Sequence, residues 1–192
     1  EVVRELQKMM PRIQMLELAQ GGKGYAIAQG FKDALTRPND LIGFVDADMA
    51  TSPAAFYELI KQLGNYDGII ASRYMPGASV TPPRPLIKRW GSKLFFESLT
   101  KLLFGIYYYD TQCGAKLFTR NVIETITPHL SVKQWAFDVE LLYLCKRFHF
   151  HIKEIPTIWH DQAGSKLRML RAGGKMLSTL VKLRYSYSFK KI

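Results

Sequence analysis

The sequence predicts an α/β fold with a mixed, mainly parallel sheet and flanking helices, and three observations predict it. Short apolar runs bounded by turn residues alternate with helical patterns through the first 72 residues. Two of those runs, Leu41 to Val45 and Tyr66 to Ser72, read as buried strands. Between them Thr51-Ser52-Pro53 places a capping hydroxyl just before a proline, which starts a crossover helix.

Taken in order, residues 1–10 read as the last turns of a helix stopped by Pro11, and Arg12 to Leu18 alternates as a strand does. The cluster Gly21-Gly22-Lys23-Gly24 opens a helix from Tyr25 to Leu35. Leu41 to Val45 is a strand ending in Asp46-Ala47-Asp48, and a helix from Pro53 runs to about Leu63. After the strand 66–72 the pattern changes, because residues 75–85 hold four of the nine prolines and read as a loop. A basic-starting amphipathic helix follows over 86–105. An aromatic strand at 106–110 (IYYYD) and a second at 113–118 (CGAKLF) come next, with a turn between them. Phe137 to Arg147 reads as a helix, His151 to Trp159 as a strand, and Leu167 onward as a final helix. Because the chain opens within a helix, strands completing the sheet are expected to precede it. Residues 1–192 are therefore read as one N-terminally incomplete domain, with no internal repeat or linker.

Composition limits the function. Hydrophobic residues make up 47% and charged residues 22%, ordinary for a globular protein. No run of 18 apolar residues could span a bilayer as a helix, and Glu1-Val2-Val3-Arg4 lacks a signal-peptide pattern. Cys113 and Cys145 form no disulfide framework and no metal spacing, so both read as buried thiols. The four histidines, at 129, 149, 151 and 160, show no ligand spacing. A net charge of +11 predicts polyanionic company: nucleic acid, anionic lipid or phosphorylated small molecules.

Asp46-Ala47-Asp48 is the sharpest motif. Two carboxylates where a buried strand runs out suit Mg²⁺ or Mn²⁺, hard ions that take one or two carboxylates together with substrate phosphates. The glycine cluster around Lys23 is either a flexible turn or a helix start facing an anion, and it lacks the Walker A spacing. Asp110 to Lys116 brings acid, amide and ammonium to one turn. Trp135 to Glu140 sets two acids at a helix start beside a Trp, where capping competes with a sugar-binding role. Arg73, Arg84, Lys88 and Arg89 flank the proline loop. From Lys166 to Ile192 there are eight Lys/Arg and no acid. Arg168, Arg171, Lys175 and Lys182 fall on one side of a helical wheel, and Leu167, Leu170, Leu177, Leu180 and Val181 mostly on the other. That pattern fits a core helix or one lying on an anionic membrane.

In order, GKG at 22–24, DADMAT at 46–51, ASRY at 71–74, DTQCGAKLFTR at 110–120, WAFDVELLY at 135–143 and GSK at 164–166 cover nearly the whole chain. Together they resemble family 2 glycosyltransferases of the GT-A (Rossmann-like) fold, in particular the polyprenyl- and dolichyl-phosphate sugar synthases. DTQCG with WAFDVELL is most similar to the dolichyl-phosphate glucosyltransferase branch. The resemblance implies inverting transfer of a hexosyl group from UDP-glucose or GDP-mannose to a polyprenyl or dolichyl phosphate. It implies a catalytic domain over 1–192, with 167–192 as a basic amphipathic helix, peripheral on the cytosolic face of a membrane with an anionic surface. Asp46 and Asp48 would hold Mg²⁺ or Mn²⁺. Lys23, Asp46, Asp48, Asp110, Gln112, Trp135 and Lys166 would bind the nucleotide sugar, with Asp48, Asp138 and Gln112 catalytic. Arg73, Arg84 and Lys88 would take the acceptor phosphate. The strands that grip base and ribose in the family are expected before Glu1.

Three rivals remain. A relative acting on a soluble or polysaccharide acceptor usually carries Gln-x-x-Arg-Trp, whereas Lys133-Gln134 precede Trp135 here. An inactive remnant would keep the motifs without turnover. A nucleic-acid-binding module needs aromatic–basic interleaving on an exposed sheet, and the one candidate, YYYD, lies inside a family motif; nucleic acid is not an expected partner.

Overall fold

The computed structural model describes residues 2–82, 97–160 and 169–189. Helix α1 (Val2–Met9) is followed by α2 (Lys23–Leu35), β1 (Leu41–Val45), α3 (Pro53–Gln62), β2 (Gly68–Ser72) and β3 (Ser79–Thr81). Helical residues 97–104 form α4. Then come β4 (Ala115–Thr119), α5 (Arg120–Ile126), a 3₁₀ turn (Thr127–His129), α6 (Phe137–Arg147), β5 (Ile152–Pro156), β6 (Ile158–His160) and α7 (Met169–Phe189).

The main sheet has the order β1-β4-β2-β5, with β4 antiparallel to both neighbours and β2 parallel to β5. Three strands thus run one way and β4 returns between two of them, which is the mixed, mainly parallel sheet expected. Both β2 and β4 are buried along nearly their whole length, as central strands covered on two faces require. On one face α6 lies among Phe31, Ile42, Ile70, Phe118, Val122 and Leu180, while Leu59, Ile69, Ala71, Leu117 and Trp159 fill the other. Phe31, Phe44 and Phe137 meet at ring separations of 6.1, 6.5 and 6.3 Å. Such pairs contribute about 1 kcal/mol each beyond area burial. This trio locks α2, β1 and α6 together directly beneath the site.

The helix starts follow their caps. Ser52 Oγ accepts from the Ala55 N–H at 3.2 Å, and Pro53 occupies the first turn of α3. Gly173-Gly174 does not interrupt α7. That helix is anchored by Leu180, Leu183 and Tyr187, all buried. The Tyr187 hydroxyl donates to His129 O and Glu140 Oε1, each at 3.0 Å. The expected apolar side therefore shifts: Val181 is 51% exposed and lines a second stripe with Tyr185 and Phe189.

Three expected strands differ. Residues 12–18 form no ladder, because alternation makes a strand only where another strand runs alongside, and none does among the described residues. Residues 106–110 are not a strand either: the Tyr109 and Asp110 N–H groups donate to the Glu154 carboxylate, each at 2.8 Å. The run 151–159 divides at Thr157 into β5, in the main sheet, and β6, which pairs with β3 in a second, two-stranded sheet.

Candidate active site

The site lies beyond the carboxyl end of β1, where open α/β sheets bind ligands. Asp46 follows Val45 and donates its N–H to Gly114 O at 2.9 Å. A Cβ on Gly114 would fall 1.8 Å from Asp46 Oδ2, so only glycine lets the carboxylate lie across the start of β4. Asp48 is exposed, and its Oδ1 accepts the Ala50 N–H at 3.0 Å in a local turn. Ala50 O in turn accepts from the His160 N–H at 2.8 Å, which ties this turn to β6. Asp46 therefore points inward and Asp48 stands at the rim.

Lys23 reaches Asp46 from α2. The glycines on either side of it are packing devices: a Cβ on Gly22 would meet Lys133 O at 2.4 Å, and one on Gly24 would meet Val132 O at 2.3 Å and Phe137 Cβ at 2.7 Å. They let the helix start lie flush against the 131–134 loop and α6. The first-turn N–H of Tyr25 is used by Lys133 O at 3.1 Å rather than left for an anion. Lys23 Nζ then lies 3.2 Å from Asp46 Oδ1 and 3.1 Å from Asp138 Oδ2, with the Phe44 and Trp135 rings each 5.8 Å away. Burial works against the Lys23 charge, but the Asp138 and Asp46 carboxylates outweigh it and hold its pKa above the usual lysine value.

Asp138 caps nothing at the start of α6. It is 1% exposed, and its Oδ1 accepts from Lys116 Nζ at 2.7 Å. Lys116, itself fully buried, also donates to Cys113 O at 2.5 Å. Asp138 thus sits behind Lys23 with an ammonium on each oxygen, not on an open pocket wall. Glu140, two residues on, faces elsewhere, as that helical spacing demands, and its carboxylate accepts the Ser131 and Val132 N–H groups at 3.0 and 2.8 Å. Trp135, 49% exposed, lies at the rim.

A second ionic group lies around the 108–112 turn. Asp110, fully buried, takes Arg73 Nε at 2.7 Å, Arg73 Nη2 at 2.9 Å, the Arg73 N–H at 3.0 Å and the Gln112 N–H at 3.2 Å. Burial raises the Asp110 pKa, but the Arg73 guanidinium outweighs it and brings it below the usual carboxylate value. The guanidinium lies 4.9 Å from the Trp159 ring centroid and 5.4 Å from that of Tyr74. Asp110 is therefore spent on holding Arg73 and the turn. Gln112 Nε2 is buried with no hydrogen-bond partner among the described residues. Arg84, Lys88, Arg89 and Lys166 lie outside the described residues, as does Arg168; the side chains of Arg171 and Lys175 are likewise outside them.

Sequence reading missed Lys116 as a partner of Asp138, and Glu97, Glu154 and Trp159 altogether. For Lys116 a signal existed: a lone lysine between Ala115 and Leu117 in a strand buried on both faces needs an internal carboxylate. For Glu97 and Glu154 none existed, since their role depends on packing between distant segments.

Among the described residues no group of three or more His, Cys, Asp or Glu side chains could hold a metal ion. The residues present do fit a divalent ion bound jointly with a ligand. Asp46 and Asp48 offer the hard oxygen donors that such an ion takes together with a ligand's phosphates, and in the absence of a ligand the Lys23 ammonium holds Asp46.

Residues 1–127 match the family model described as Glycosyl transferase family 2. The chain is 32% identical over 185 residues to a Dictyostelium discoideum protein named dolichyl-phosphate beta-glucosyltransferase, covering 91% of this chain and 54% of that one. A Saccharomyces cerevisiae protein of the same name is 34% identical over 183 residues, covering 86% and 52%. The chain spans about half the length of the curated relatives it matches. Among solved structures, glucosyl-3-phosphoglycerate synthase from Mycobacterium tuberculosis in complex with uridine diphosphate has a TM-score of 0.61 at 14% identity, covering 93% of this chain and 59% of that one. The same protein in complex with Mn²⁺ and UDP-glucose has a TM-score of 0.59 at 14% identity, covering 93% and 58%. At that identity the likeness shows the GT-A fold alone.

Proposed function

From the fact that the chain belongs to glycosyl transferase family 2, we propose that it serves the inverting transfer of glucose from UDP-glucose to dolichyl or another polyprenyl phosphate. The observation that carries this reading is the Lys23–Asp46–Asp138 cluster at the carboxyl end of β1, set in a chain similar over most of its length to dolichyl-phosphate beta-glucosyltransferases. Those relatives' names favour glucose over mannose as the transferred sugar.

The acceptor's own chemistry removes one requirement. Transfer to an alcohol needs a base to take its proton. A phosphate monoester, with a second pKa of about 6, is already mostly dianionic near neutral pH. An acceptor phosphate oxygen attacks the anomeric carbon, the bond from that carbon to the diphosphate oxygen breaks, and the nucleoside diphosphate leaves with the electron pair. No proton moves. The protein's task is to bring two anions into line and to stabilise charge on the leaving group. Asp46 and Asp48 are the residues that would hold Mg²⁺ or Mn²⁺, which when bound supplies Lewis-acid stabilisation of the diphosphate. Lys23 adds a cation beside them. Trp135 offers a flat face at the rim, and Gln112 Nε2 an unused donor for a sugar hydroxyl. For the acceptor phosphate, Arg73, Arg84 and Lys88 remain the proposed groups; at Arg73, Asp110 takes Nε and Nη2.

The membrane reading is part of the proposal. No helix is long and apolar enough to cross a membrane among the described residues. On α7 the exposed Val181, Tyr185 and Phe189 recur every fourth residue beside the exposed Lys182 and Arg184. That combination suits peripheral contact with an anionic cytosolic leaflet.

The test is incubation of the full-length protein with radiolabelled UDP-glucose and dolichyl phosphate, with GDP-mannose in parallel, followed by lipid extraction. Label in the lipid phase from UDP-glucose, lost in Asp48→Ala and kept in Asp40→Ala, is expected. No lipid-soluble label from UDP-glucose would refute the assignment.

A further inference from the structure

Lys23 occupies a position that a bound cation would contest. Its ammonium touches Asp46 at 3.2 Å and Asp138 at 3.1 Å, its side chain is 12% exposed, and glycines on both sides hold its backbone against the 131–134 loop and α6. Its two carboxylates are not equivalent. Asp138 is also held from behind by Lys116, whereas Lys23 is the one cation paired with Asp46 among the described residues. The four groups together are electrically neutral: two ammonium groups and two carboxylates.

A divalent ion added at Asp46 would convert that neutral set to a net charge of +2 and would stand against an ammonium already on the same carboxylate. Like charges at such separations in a mostly buried site repel strongly. A nucleoside diphosphate arriving with the ion changes the balance, since it brings at least two negative charges and oxygen acceptors for Lys23.

We propose that Lys23 is an internal counter-cation for Asp46 that keeps free divalent metal out and hands the carboxylate over only when a diphosphate arrives to take the ammonium. Metal and donor then bind as a coupled pair. The inference rests on the reading of Asp46 as a metal ligand and extends it to the order in which the site fills. Lys23 is a positioning and gating group here, in addition to the donor contact proposed for it above.

The test is Mn²⁺ binding to the full-length protein, followed by the electron paramagnetic resonance signal of free Mn²⁺, with and without UDP. The wild-type protein is expected to bind Mn²⁺ weakly alone and about tenfold or more tightly with UDP, a coupling of ordinary size. In Lys23→Met the affinity for Mn²⁺ alone is expected to rise about tenfold and the UDP enhancement to shrink by a similar factor. Lys23→Gln serves as a second neutral replacement should the methionine variant fold poorly, and Lys23→Arg, which keeps the charge, is expected to retain weak binding of Mn²⁺ alone. Should the wild type gain Mn²⁺ affinity with UDP while neither neutral variant binds Mn²⁺ alone more tightly, the gating role is refuted and the metal assignment stands. Should the wild type bind no Mn²⁺ even with UDP, both fall.

Discussion

Glu97 is expected to make stability fall with rising pH across the neutral range. Its side chain, 8% exposed, accepts the Thr111 N–H at 3.2 Å and the Thr111 hydroxyl at 3.3 Å, while Oε2 is buried without a hydrogen-bond partner among the described residues. Burial, and after it the neighbouring Asp110 carboxylate, raises its pKa from 4.5 to about 7. Glu154 faces the same turn and is also raised, chiefly by burial. A group whose folded pKa is raised contributes stability that is fully present below the unfolded value and is lost as pH rises through the folded one. With those two values the loss is below about 1 kcal/mol near pH 5 and about 3 kcal/mol near pH 8. Glu97→Gln keeps an acceptor for Thr111 and cannot ionise. The stability difference between variant and wild type, from urea unfolding at the two pH values, should therefore move in the variant's favour by about 2 kcal/mol at the higher pH. Asp110 and Glu154 are common to both proteins and cancel to first order. A difference that stays constant with pH would show that Glu97 titrates alike in the folded and unfolded states, and the expectation would fail.

Other expectations follow from the same contacts. Lys116→Met leaves Asp138 without its inner partner and is expected to cost about 3–5 kcal/mol in urea unfolding; replacing Asp138 by Leu in the same chain should recover part of that loss. Gly24→Ala should destabilise by about 1–3 kcal/mol despite alanine's better helix propensity, because the added methyl meets Val132 O and Phe137. It should also weaken UDP binding measured by calorimetry, since the start of α2 carries Lys23. Tyr187→Phe removes donation to His129 O and Glu140 and should lower stability by about 1–2 kcal/mol, read from thermal unfolding.

What the sequence made legible was what local chemistry decides. Ser52 and Pro53 announced α3, the apolar runs announced β1 and β2, and Phe137 to Arg147 emerged as α6 with its bounds unchanged. The mixed sheet, with Asp46 just beyond the end of β1, followed from that order. Pairing between distant segments was not legible. Residues 12–18 carry the alternation of a strand and lack a ladder partner, and 106–110 surrender two N–H groups to the Glu154 carboxylate instead of to a strand. At the site the residue types were visible while their division of labour was not. Asp110 and Asp138 both stood in plausible positions to touch a sugar, yet each is turned inward onto cations, a direction set by tertiary packing alone.

That inward turn has a consequence for how the site works as a unit. The 110–116 segment carries Asp110, which holds Arg73, and Lys116, which holds Asp138 and through it Lys23; Gly114 between them carries the Asp46 carboxylate. One short stretch therefore sets the positions of both ionic groups, the one proposed for the donor and the one proposed for the acceptor. Buried ion pairs are poor sources of net stability, because desolvation offsets most of their attraction. Their value here lies in geometry: each buried carboxylate fixes a cation whose position would otherwise depend on a long, flexible side chain. A chain of +11 can thus keep acids at its centre, because those acids position the positive charge instead of opposing it. Substitutions in 110–116 should accordingly impair metal-coupled UDP binding even where the altered side chain touches neither metal nor nucleotide.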